Sequence, residues 1–122
     1  MLTEKQQRTA AAEFIKRWQG RGYEKGESQL FWIDLLTNVY GISDAANFIC
    51  FEQQARLDHT SFIDAMIPST HVMIEQKSLG KNLRQPIKQS DGNLLTPFQQ
   101  AQRYSAVLPY SARPRWIVTF NF

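Results

Sequence analysis

The chain has 122 residues, 43% of them hydrophobic, 20% charged and 12% aromatic, enough apolar material for one domain with a core; this excludes disorder as its main state. No apolar run approaches the roughly 18 residues of a membrane-spanning helix, and the opening MLTEKQQRTAAAEF has no signal-peptide stretch, so a soluble cytoplasmic protein without a membrane partner is expected. A formal charge of +3 suits a polyanionic partner, and the single Cys50 excludes an internal disulfide; lying in the apolar run NFICF, it is expected to be buried and inert.

Thr3 and Gln6 have the spacing of a capping box, and Ala11, Phe14, Ile15 and Trp18 recur at helical spacing, which predicts an amphipathic helix over 4–19 ended by the Gly20–Gly26 stretch. A second helix is expected over 28–40, apolar at Leu30, Ile33, Leu36, Val39 and Tyr40, with Gly41 as its stop. Strand-like runs follow at 48–57, 62–67 and 71–77, separated by turn residues at Asp58-His59-Thr60 and Pro68-Ser69-Thr70. The stretch 78–95, with Gly80, Pro86 and Asp91-Gly92, reads as a polar loop too rich in breakers for regular structure. Thr96, Pro97 and Gln99 open a helix running to about residue 107, and 115–122 reads as a strand. This order predicts an α/β (α+β) fold, a central mixed sheet flanked by helices, with the last helix a right-handed crossover between parallel strands.

The chemistry concentrates in SFIDAMIPSTHVMIEQKS. Strand alternation puts Glu75 and Lys77 on one sheet face, and ionisable groups embedded among Ile63, Met66, Met73 and Ile74 call for a partner. Whether Asp64 joins them depends on the turn. A two- or four-residue loop pairs it with Met73 or Glu75, whereas a symmetric three-residue loop pairs it with Ile74 and turns it away. Two carboxylates on neighbouring strands suit Mg²⁺, for which Mn²⁺ substitutes, and a nearby lysine suits proton transfer or charge stabilisation at a phosphate.

The segment D-x10-E-Q-K resembles the signature of the PD-(D/E)xK nucleases, and Gln100-Ala101-Gln102-Arg103-Tyr104 resembles the accompanying Q-x-x-x-Y motif, although Ile63 stands where the name implies proline. Together with GESQLFWIDLLTNVYG, FICFEQQARLD, QSDGNLLTPFQQAQRY and RPRWIVTFNF, residues 20–122 resemble the N-terminal nuclease domain of type IIL, MmeI-like restriction-modification proteins. In these, one polypeptide joins an endonuclease to an adenine-specific DNA methyltransferase and a target-recognition domain.

The resemblance implies a restriction-endonuclease-like fold, double-stranded DNA as partner, and Asp64, Glu75, Lys77, Gln100 and Tyr104 at the catalytic positions. It makes Asp64 and Glu75 metal ligands, with Glu27 as a third candidate from the helix and Glu52 as a weaker alternative. Lys81, Arg84 and Lys88 are candidate DNA-phosphate contacts, and His59 and His71, lone histidines at turns, are not expected to be ligands. S-adenosylmethionine would enter only through a methyltransferase domain, since this sequence has no glycine-rich cofactor loop and no Asn-Pro-Pro-Tyr motif. Because the chain ends on the apolar run PRWIVTFNF, residues 1–122 are expected to be a single nuclease domain truncated at its C-terminus. The alternatives are a non-catalytic DNA-binding or scaffold module of the same fold, and an unrelated interaction domain with a chance Glu-x-Lys.

Overall fold

A computed structural model describes residues 1–57 and 60–122, so the turn expected at Asp58-His59 lies outside the described residues. Helix α1 (Glu4–Trp18) begins at the Thr3 capping box and turns Phe14 and Trp18 inward. Helix α2 (Glu24–Asp34) begins four residues before the expected start and continues into a π-helical turn, Leu35–Val39. The early start has a tertiary cause. Tyr23, at the N-cap, makes no side-chain cap, but the Glu24 N–H donates to Ser78 Oγ (3.0 Å) and Leu79 N–H donates to the Gly22 carbonyl (2.8 Å). A distant segment thus completes the helix end, and Gly26 is carried inside it. Gly22 has φ +152°, and a Cβ there would lie 2.8 Å from Leu79 Cβ and from Phe122 Cγ, so only glycine allows this approach.

After a short helix α3 (Ala45–Phe48), strands β1 (Cys50–Arg56), β2 (Thr60–Ile67), β3 (Val72–Gln76) and β6 (Trp116–Phe120) form one sheet in the order β1-β2-β3-β6. The first two pairings are antiparallel, and β3 pairs parallel with β6 across the crossover helix α4 (Pro97–Ala106). α4 opens on the Thr96 capping box with Pro97 in its first turn, as its sequence requires. The sheet is mixed and helix-covered. One core cluster joins Phe14, Trp18, Phe31, Trp32 and Leu36 to Ala65, Ile67 and Ile74. The other joins Met66 and Met73 to Ala101, Tyr104 and Leu108 of α4 and the turn after it.

Two expectations are corrected. The segment 78–95 contains a hairpin, β4 (Ile87–Lys88) and β5 (Leu94–Leu95), closed by Gln89 N–H to the Asn93 carbonyl at 2.8 Å. Asp91-Gly92 is its turn: Asn93 N–H donates to Asp91 Oδ1 and Gly92 takes φ +88°. Cys50 is exposed rather than buried, because β1 is an edge strand whose alternation turns Ile49 inward and Cys50 outward. No helix among the described residues is long and apolar enough to cross a membrane.

Candidate functional site

A four-residue connection, Pro68–His71, joins β2 to β3 and pairs Ile67 with Val72, Met66 with Met73 and Ala65 with Ile74. Continuing that register by one residue sets Asp64 level with Glu75. There the ladder opens. The Gln76 N–H donates instead to Asp64 Oδ2 at 2.7 Å, so the carboxylate fills the wedge between the strands. The β1–β2 ladder is interrupted at the same level: Phe51 pairs with Ala65 and Gln53 with Ile63, while Glu52 between them takes φ +56°, unusual for a non-glycine residue. Glu52, Asp64 and Glu75 therefore occupy one level across three adjacent strands, where like charges oppose pairing.

Glu75 is buried in this row, with its side chain 4% exposed, and its Oε1 lies 3.2 Å from Lys77 Nζ. Lys77 also donates to Gln100 Oε1 at 3.2 Å, and Gln100 Nε2 donates to the Tyr104 hydroxyl at 2.8 Å. The spacing of four on α4 places Gln100 and Tyr104 on one helix face, and the two form a brace behind the lysine. The structure thus gathers Asp64, Glu75, Lys77, Gln100 and Tyr104 at one end of the sheet.

Burial, above all, pushes the Asp64 carboxyl up to about 6; Glu24 and Glu52 add to the effect, while the Gln76 N–H and Lys77 oppose it. Burial and the Asp64 charge push Glu75 up to about 8, and the nearby Lys77 ammonium does not outweigh them. Both shifts come first from burial, and neighbouring negative charge adds to it.

Glu27 is not part of this group. Its carboxylate receives Arg21 Nε at 2.7 Å and the N–H groups of Gly22 and Tyr23, an arrangement that holds the start of α2 and lowers its pKa, the Tyr23 N–H first among the causes. Its helix neighbour Glu24 is the one whose charge reaches Asp64 and Glu75, and a cleft of about 90 Å³ is lined by Glu24, Lys25, Ser28, Gln29, Glu52 and Asp64. The sequence held no local sign of this, since Glu24 is placed by the contact of its N–H with Ser78, 54 residues away. Trp32 and Gln76 were missed for the same reason: the indole N–H donates to Gln76 Oε1 at 2.8 Å across 44 residues.

Lys81, Arg84 and Lys88 are exposed on the segment after β3. His71 is exposed at the β2–β3 connection with φ +57°, and its carbonyl accepts from Arg115 and Trp116; His59 lies outside the described residues. Among the described residues no group of three or more His, Cys, Asp or Glu side chains is gathered as a metal cage, so any ion here would keep part of its shell from water or substrate.

No curated protein and no solved structure matches the chain. A family model described as "MmeI, N-terminal domain" matches residues 9–122, nearly the whole sequence, and carries a type IIL restriction-modification context. The chain therefore belongs to the MmeI N-terminal domain family.

Proposed function

We propose that this chain is a Mg²⁺-dependent DNA endonuclease domain of the restriction-endonuclease-like, PD-(D/E)xK type. It hydrolyses phosphodiester bonds in double-stranded DNA within a protein whose methyltransferase and target-recognition parts choose the site. The observation that carries this reading is the convergence of Asp64, level with Glu75 on the neighbouring strand, and of Lys77 held 3.2 Å from both Glu75 Oε1 and Gln100 Oε1.

The donor set fits the ion. Asp64 and Glu75 offer hard carboxylate oxygens from rigid neighbouring strands, and the cost of ionising them, which comes first from burial and then from nearby negative charge, is relieved by a cation. When bound, Mg²⁺ supplies Lewis-acid polarisation of the phosphate and a more acidic water. The chain's own residues do the rest. The Gln76 N–H orients Asp64, while Glu75 and Gln100 aim the Lys77 ammonium. Entering the step as its free amine, Lys77 Nζ takes a proton from the attacking water and, as the ammonium so formed, steadies charge on the phosphoryl oxygens. Water adds to phosphorus and one ester P–O bond breaks, the leaving oxygen taking up a proton. Lys81, Arg84 and Lys88 contribute contacts to DNA phosphates that position the duplex without reading its sequence.

Supercoiled plasmid incubated with the protein and Mg²⁺ is expected to be nicked or linearised, and Asp64→Asn is expected to abolish this while leaving metal-free DNA binding unchanged. DNA binding by the wild type without any metal-dependent cleavage would reject the nuclease reading in favour of a non-catalytic module.

A further inference from the structure

Gln76 stands between Glu75 and Lys77, and strand alternation sends its side chain to the opposite sheet face, into the aromatic core. An apolar side chain would fill that place without the cost of burying an amide. Gln76 is 1% exposed, and its amide is engaged at both ends. Oε1 accepts from Trp32 Nε1 at 2.8 Å; Nε2 donates to the Lys77 carbonyl at 3.0 Å and approaches the Phe120 carbonyl at 3.4 Å. The Lys77 N–H uses the same Phe120 carbonyl, at 2.7 Å.

Indole N–H can only donate and a backbone carbonyl can only accept, so Trp32 admits a single orientation of the Gln76 amide. A flipped amide would set its oxygen against two carbonyl oxygens and its nitrogen against the indole N–H. Trp32 packs edge-on with both Phe31 and Phe120, each ring centroid 5.4 Å away, and the two phenylalanines also touch each other at 4.9 Å. Gln76 also supplies the N–H that holds Asp64. One residue thus connects the indole of α2, the β6 backbone, the main chain of Lys77 and the carboxylate of Asp64.

We propose that Trp32 and Gln76 are positioning residues. Trp32 orients the Gln76 amide, which fixes the end of β3 so that Asp64, Glu75 and Lys77 meet a divalent cation and phosphate in register. This rests on the nuclease reading above and assigns the placement of the site's strand to a pair on the far face of the sheet. Groups that orient the ligands of a metal commonly affect its affinity by about 10- to 100-fold.

The test uses Mn²⁺ affinity, measured by the loss of the free-ion electron paramagnetic resonance signal, alongside thermal unfolding of each variant. Trp32→Phe keeps an aromatic ring in the core and removes the donor; Gln76→Met keeps the indole and removes the amide, and serves if the first variant does not fold. Leu36→Ala, in the same core cluster and without a hydrogen bond toward the site, is the control for lost stability. Trp32→Phe or Gln76→Met is expected to weaken Mn²⁺ binding about tenfold or more, while Leu36→Ala, though destabilised, stays at the wild-type affinity. Wild-type affinity in both positioning variants, or an equal loss in Leu36→Ala, overturns the inference and leaves the nuclease reading standing. Absence of Mn²⁺ binding in the wild type overturns both.

Discussion

Replacing Lys77 by methionine is expected to slow DNA cleavage by about 10²- to 10⁴-fold, the range associated with loss of a positioned proton-transfer group. Methionine keeps an unbranched side chain of similar reach, so the variant removes the charge and the proton more than the packing. Lys77 is largely buried, with Glu75 Oε1 and Gln100 Oε1 each 3.2 Å from its nitrogen. Metal binding is expected to persist or tighten, since removing an ammonium beside Glu75 favours a cation there. The loss would therefore fall on the chemical step, seen as reduced single-turnover rate at saturating Mg²⁺. Lys77→Arg is not expected to rescue it, because a guanidinium does not give up its proton in the working pH range. Cleavage by Lys77→Met within a few-fold of wild type would assign the proton transfer elsewhere.

The second large effect concerns stability and its dependence on pH. Asp64 and Glu75 have folded-state pKa values raised to about 6 and about 8, both chiefly by burial, and an unfolded chain would restore ordinary carboxylate values. Between those limits the folded form binds more protons than the unfolded form, so the pair lowers stability as pH rises from about 4 to about 8. Their ionisation weakens the metal-free fold, opposite to the usual salt-bridged carboxylate. Glu75→Gln imitates the protonated acid and still offers an oxygen to Lys77. It is expected to stabilise the metal-free protein at pH 8 by something on the order of 2 kcal/mol, a rise in Tm of roughly 5–10 °C. The gain should vanish near pH 4, where the native carboxyls are protonated too. With millimolar Mg²⁺ the wild type is expected to gain stability by mass action and the variant to gain none. A Glu75→Gln variant less stable than wild type at pH 8 and equally helped by Mg²⁺ would contradict this.

Local rules carried much of the fold. The Thr3 and Thr96 capping boxes, the Pro97 start and the parallel pairing of β3 with β6 follow from residues close in sequence or from handedness. Where local rules failed, a distant or competing contact decided. α2 begins at Glu24 because Ser78 completes its end, which moves Glu24 rather than Glu27 toward Asp64. Cys50 sits in an apolar run, but period-two alternation on an edge strand overrides composition. Asp91-Gly92 was legible as a breaker, and its stronger meaning as a hairpin turn was missed because β4 and β5 are only two residues each.

The candidate site was legible as a set of residue types and only conditionally as a place. Asp64 and Glu75 can share a level only with the right loop length, and Pro68–His71 provides it. The opening of both ladders around Asp64 has no counterpart in any short motif. It arises where Glu52, Asp64 and Glu75 would otherwise be forced side by side, with one strand in a left-handed turn of its backbone and the next held through a carboxylate. The bond between Trp32 and Gln76 is likewise a product of tertiary packing, and without it the apolar side of β3 reads as ordinary core.

The central claim is that the Asp64–Glu75 level of the sheet holds a divalent cation, and Mn²⁺ titration at pH 8, well above the value for Asp64 and level with that for Glu75, tests it most directly. The expected result is one site in the wild type and in Lys77→Met, lost in both Asp64→Asn and Glu75→Gln. No binding at millimolar Mn²⁺, or wild-type affinity in folded Asp64→Asn, would contradict it.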